Sequence, residues 1–188
     1  MSQENVETTQ GVRIPLAPET RRHRTLDERI AVRFPALNRW LSAAWAELPR
    51  NSRLRRALLV RGVRQGFAAG NRRDFDFLLT RFDPGIEYHF PEPWQVDFDP
   101  LYHGHDGYRE AWRVILEAFE DARLDPMELL DLGDRFLVTV EMSGHGAGSG
   151  VSISQPLFQL FTLRRGLAVR QDDFQERATA LEAAGLSE

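Results

Sequence analysis

The stretch RDFDFLLTRFDPGIEYHF, residues 73–90, decides the fold of this 188-residue chain. Its first half carries a helical period: Asp74 can cap, and Phe75, Leu78 and Leu79 fall on one side as far as Arg81. Phe82-Asp83-Pro84 ends that period, and Ile86 to Phe90 alternates as a strand does, with Pro91 and Pro93 forbidding its extension into a central ladder. Downstream, the glycines of Tyr102-His103-Gly104-His105-Asp106-Gly107 make a turn. There Asp106 caps a helix whose apolar stripe is Tyr108, Ala111, Trp112, Ile115, Leu116 and Phe119. Strands follow over about 127–132, 135–143, 150–164 and 167–174, joined at Gly133-Asp134, the glycine-rich segment 144–150 and Arg165-Gly166. A short helix from Glu176 to Ala184 stops at Gly185. This order predicts an α+β fold, a cone-shaped, curved, mainly antiparallel sheet wrapped around helices, which leaves a blind cavity of the kind that takes small organic molecules.

Upstream, Leu26, Ile30, Phe34, Leu37, Leu41, Trp45 and Leu48 recur at three and four, with an interruption at Pro35. A second helix over about 53–69, capped by Ser52, presents Leu54, Leu58, Leu59, Val63 and Phe67. Residues 1 to about 25 are polar, show no sustained period and read as a flexible tail. The chain therefore divides into a polar tail and helical extension, 1–52, and a pocket domain, 53–188.

Composition bounds the partners. The net charge of -4 argues against nucleic acid, although the first 73 residues are locally basic. With no cysteine there is no disulfide, thiolate metal site or thiol nucleophile, which fits a cytoplasmic location. No apolar run approaches the ~20 residues of a membrane span.

These residues resemble the SnoaL-like branch of the nuclear transport factor 2-like superfamily over roughly 53–186. The carriers are Arg73-Asp74-Phe75-Asp76, the run Phe82 to His89, His103-Gly104-His105-Asp106-Gly107, Asp131-Leu132-Gly133-Asp134-Arg135, Gly148-Ser149-Gly150-Val151, Phe161-Thr162-Leu163-Arg164-Arg165-Gly166 and the tail Ala180 to Leu186. The resemblance implies the cone fold, frequent pairing of two copies, and activities that include isomerases, polyketide cyclases, hydrolases, dehydratases and members that only bind. It also allows the isomerase machinery to be tested position by position. The proton-shuttling carboxylate falls on Phe90, the helix phenol on Gly66 and the third-strand acid on Gln159. Neither Phe90 nor Gly66 can move a proton or polarise a carbonyl, so steroid-type isomerisation is not expected.

Strand alternation supplies candidates independently. Ile153, Gln155, Leu157, Gln159 and Phe161 share one face, and Val169, Gln171 and Asp173 share another. If those faces are concave, Gln155, Gln159, Gln171 and Asp173 turn polar groups inward, with Tyr88, Phe90 and Trp112 as apolar wall. Asp173 then reads as a proton acceptor whose pKa is raised by burial, or else as a strand-end carboxylate pairing with Arg170 or Arg177. His89, His103, His105 and His145 lack metal-ligand spacing, so no metal and no cofactor is expected. The expected chemistry is cofactor-independent acid–base work on a largely apolar small molecule, of cyclase, hydratase or dehydratase type, with a non-catalytic binding or interaction module as the alternative. Phe158, Leu160 and Thr162, on the opposite face of their strand, predict a homodimer through the sheet.

Overall fold

The period that begins at Leu26 is realised as two helices, α1 (Leu26–Arg33) and α2 (Pro35–Ala46), because Pro35 cannot continue the hydrogen-bond ladder and instead opens the second helix. The computed structural model describes residues 11–91, 94, 99–119 and 121–186, so the expectation at Pro93 and that for the first ten residues lie outside the described residues. Helix α3 (Arg53–Asn71) is capped by Ser52, whose side chain accepts from Arg55 N. It runs two residues past the expected end because the Asn71 carboxamide joins it to the sheet, donating to Leu124 O at 2.8 Å and accepting from Leu124 N at 2.9 Å. The short α4 (Phe75–Leu78), capped by Asp74, passes through a 3-10 turn (Leu79–Arg81) into β2 (Phe82–His89).

Strand β2 starts four residues earlier than Ile86, tolerating Pro84 because its pairing with the last strand, β7 (Leu167–Phe174), is irregular between Phe82 and Glu87. A second strand, β3 (Leu101–His103), stands where a loop was expected and leads directly into α5 (Gly104–Ala118). Gly104, at φ 74°, makes that reversal, so His103 is the capping position and Asp106 lies inside the first turn instead of capping. Then come β4 (Arg123–Asp131), β5 (Arg135–His145), β6 (Ser152–Arg164), β7 (Leu167–Phe174) and α6 (Arg177–Ala183).

The tail reading is corrected in part. Val12–Pro15 forms β1, antiparallel to β4 with Val12 opposite Asp131. It covers what would otherwise be an open sheet edge, and four residues ending in proline are too few to show a period. The sheet order is β1-β4-β5-β6-β7-β2-β3, antiparallel throughout except for β2 beside β7. Bulges between Pro126 and Glu128 in β4 and beside Leu163 in the β6–β7 pair bend it.

Both faces of the sheet are packed. On one side Leu129, Phe136, Val138, Leu157 and Phe161 join the core formed with α3 and α5. On the other, Leu130, Leu137, Phe158 and Leu160 pack against Ala180, Leu181 and Ala184 of α6. The second cover that Phe158 and Leu160 demanded is thus this chain's own C-terminal helix, which removes the physical reason for expecting a pair through that face. Among the described residues, no helix is long and apolar enough to cross a membrane.

Candidate functional site

Register brings the inward polar groups together. In the β6–β7 ladder Gln159 lies opposite Asp173 and Phe161 opposite Gln171, while in the β2–β7 ladder Tyr88 lies beside Gln171. Asp173 is only 3% exposed, and among the described residues no cation pairs with it. Its neighbour Asp172 takes Arg170 at 2.7 Å, and Arg177 reaches Glu128 instead. The Asp173 carboxylate accepts from Tyr88 Oη at 2.8 Å, from Gln171 Nε2 at 2.9 Å, and from Gln159 Nε2 at 2.9 and 3.1 Å. Burial pushes its pKa up from 3.8 to about 6, against the three donors that pull it down. The Tyr88 phenol is also raised well above its ordinary value, by burial and by the carboxylate it faces.

A carboxylate only accepts, so both glutamines must turn their amide nitrogens toward Asp173. The Gln171 carbonyl is then taken by the Tyr108 hydroxyl at 3.0 Å, and the Gln159 carbonyl is left at the other end of its side chain. Tyr108 is the member of this network that the sequence reading assigned only to a buried helical stripe. Its ring packs edge-on against Phe82 at 4.8 Å and lies 5.2 Å from Tyr88. Nothing local distinguishes it from Ala111 or Ile115 on the same stripe.

A cavity of about 520 Å³ lies between helices α1, α2, α3 and the inner face of the sheet. Gln159, Tyr108 and Trp112 stand in its wall, as do Leu37, Leu41 and Trp45 from the N-terminal extension. Asp173, Gln171, Tyr88 and Phe90 do not: they are buried one side chain behind Gln159 and Tyr108. Tyr88 is therefore a hydrogen-bond donor behind the wall, and Phe90 backs it at 4.7 Å. Trp112 sits between Phe75 at 5.7 Å and the Arg73 guanidinium at 5.3 Å. Gln155 is partly exposed, opposite Met142 near the far end of β6, outside both network and wall. It shares the face of Gln159, but four residues of strand carry it away from the cavity.

The bulge beside Leu163 also alters one expectation in β7. Ala168 reaches the wall where alternation from Gln171 had placed Val169, because one extra residue reverses the facing. Gly66, the position at which the isomerase phenol would fall, does face the cavity. Of the histidines, His105 Nε2 lies 3.2 Å from Phe82 O, and His145 Nδ1 2.9 Å from Asp121. Among the described residues, no group of three His, Asp or Glu side chains is placed to hold a metal ion.

A family model for the SnoaL-like domain matches residues 63–171, more than half of the chain. Solved structures of similar fold include TerC co-crystallised with polyporic acid, 22% identical with a TM-score of 0.58, covering 65% of this chain and 95% of that one. An NTF2-like protein of unknown function from Burkholderia pseudomallei K96243 is 23% identical with a TM-score of 0.58, over 65% and 93%. A Jannaschia sp. CCS1 protein named as a candidate SnoaL-like polyketide cyclase is 21% identical with a TM-score of 0.52, over 61% and 83%. At these identities the likeness is one of fold alone. No curated protein matches the chain in sequence.

Proposed function

The chain belongs to the SnoaL-like family, and from that premise we propose that it is a cofactor-independent acid–base enzyme, of cyclase, hydratase or dehydratase type, acting on a largely apolar small molecule. The observation that carries this reading is the enclosed carboxyl of Asp173, raised to about 6 and held by three neutral donors next to an apolar cavity. A carboxyl that titrates near neutrality can take a proton and return it within one turnover. In this proposal Asp173 is the proton acceptor, and rotation of the Gln159 carboxamide away from it opens the path from the cavity. Gln159 Oε1 and the Tyr108 oxygen then orient the substrate by accepting from a hydroxyl or enol. Gln171 and Tyr88 hold Asp173 in place. Residues 53–188 act as the pocket domain, and the extension within 1–52 completes the wall through Leu37, Leu41 and Trp45.

One feature favours a second reading, a pocket that binds without chemistry. All of the donors around Asp173 are already engaged with it, and the carboxylate lies behind the wall instead of in it. Relatives that bind small molecules, such as TerC with polyporic acid, fit either reading. Self-association stays a proposal, with exposed apolar side chains of α1, α2 and the residue joining them, among them Phe34 and Trp40, as a surface for it.

Mass spectrometry of small molecules extracted from purified protein, followed by incubation of each with fresh wild type and with Asp173→Asn, tests the assignment. A product formed by the wild type and at least about 100-fold more slowly by the variant supports catalysis. A ligand recovered unchanged from both decides for binding, and equal turnover by both removes Asp173 from the chemistry.

A further inference from the structure

Arg81 is the one strongly basic group of the cavity wall with no acid of its own among the described residues. It closes the 3-10 turn between α4 and β2, fixed in place by its buried neighbours Leu79 and Phe82. Its guanidinium stacks over the Phe77 ring at 5.3 Å, and Nη2 donates to Gln65 Oε1 at 2.9 Å. Among the described residues its Nε is buried with no hydrogen-bond partner. Two acids lie near enough to be felt, and both are committed elsewhere. Asp27 binds Arg61 at 2.7 Å and Gln65 at 2.8 Å, and Glu28 binds Arg72 at 2.7 Å.

A cation partly withdrawn from water without a counter-charge carries a cost, and burial does lower the Arg81 pKa. The guanidinium nevertheless stays protonated at any physiological pH. Asp27 and Arg61 also stand in the wall, and as an ion pair they cancel. The wall therefore carries one net positive charge in otherwise mostly apolar surroundings. That pattern fits a ligand with one negative charge and a hydrophobic body, and does not fit a phosphate-rich ligand, which would need several cations.

We propose that the cavity takes an amphipathic monoanion, a carboxylic acid or a comparably acidic molecule, whose anionic oxygens pair with Arg81 while its apolar body lies against Leu37, Leu41, Trp45 and Trp112. This rests on the reading of the cavity as a small-molecule site and names the class of molecule that enters it. Pairing with Arg81 would supply the counter-charge that the fold withholds, and the fork of the guanidinium would fix which end of the ligand points toward Tyr108 and Gln159.

A matched pair of fluorescent probes tests the proposal on the full chain: 8-anilinonaphthalene-1-sulfonate and N-phenyl-1-naphthylamine, the same aromatic body with and without the anion. Arg81→Gln should weaken binding of the sulfonate about 10- to 100-fold, the range for loss of a charge-assisted hydrogen bond, and change the neutral probe less than about twofold. Arg39→Gln, at an exposed position outside the wall, should change neither. Equal sulfonate affinity in wild type and Arg81→Gln overturns the anion site and leaves the cavity reading intact. Failure of the wild type to bind the neutral probe overturns the cavity reading itself. Should Arg81→Gln not fold, a crystal structure of the wild type with the sulfonate decides: the anion beside Arg81 supports the proposal, and the anion turned to solvent overturns it.

Discussion

Replacing Asp173 by asparagine should remove a specific piece of the pH dependence of stability. In the folded protein this carboxyl titrates at about 6, against 3.8 in a model peptide, so between those values the folded state holds a proton that the unfolded chain has released. Stability from this group is fully present below pH 4 and is lost as pH rises through about 6. At about 1.4 kcal/mol per unit, the rise from 3.8 to about 6 corresponds to about 3 kcal/mol. The variant has no titrating group there, so the stability of Asp173→Asn minus that of wild type should climb by about 3 kcal/mol between pH 4 and 7. Any constant cost from the asparagine amide facing the Tyr88 and glutamine donors shifts the whole difference curve without bending it. Asp27 and Asp74, whose pKa values are lowered, produce slopes of the opposite sign that are common to both proteins and cancel in the difference. Urea unfolding at half-unit pH steps measures this. With a slope of about 2 kcal/mol per molar urea, the relative midpoint should move by about 1.5 M. A difference curve flat to within about 0.5 kcal/mol, or one that falls with pH, would refute the claim that burial dominates the environment of Asp173.

Two further substitutions probe the frame that holds the site. Arg55 and Asp131 form an ion pair at 3.2 Å with both side chains 5% exposed, and Arg55 also stacks on Trp45 of the cavity wall at 5.3 Å. Arg55→Ala strands a buried carboxylate and should lower the unfolding free energy by about 3–5 kcal/mol in urea titrations, a loss that Arg55→Lys only partly restores. Gly166, at φ 75° in the β6–β7 turn, abuts α2 so closely that an added Cβ would stand 2.1 Å from Ser42 O. Gly166→Ala should therefore cost at least about 2 kcal/mol by thermal unfolding and displace α2 from the cavity, seen as a changed Trp45 fluorescence.

The fold was legible because its signals are local. A period of three and four marks the helices, alternation marks the strands, and Gly133, Gly166 and Gly185 sit at positive φ where turns and a helix end were expected. Alternation also placed Gln159 with Phe161, and Gln171 with Asp173, on common faces, since facing along a regular strand needs no tertiary information. What packs against a face is another matter. The bulge that substitutes Ala168 for Val169 leaves no mark in residue type, and β1 is too short to show a pattern. That α6 covers Phe158 and Leu160 depends on where a distant segment returns. Tyr108 enters the Asp173 network through a contact 63 residues apart in sequence, and Arg81 becomes an isolated cation only because Asp27 and Glu28, from the extension, close on other partners. Sequence by itself determined the helices and the longer strands and, wherever a strand or helix runs regularly, which way its side chains face. Tertiary structure alone decided which groups meet, because register, bulges and the return of distant helices depend on the packing of the whole chain.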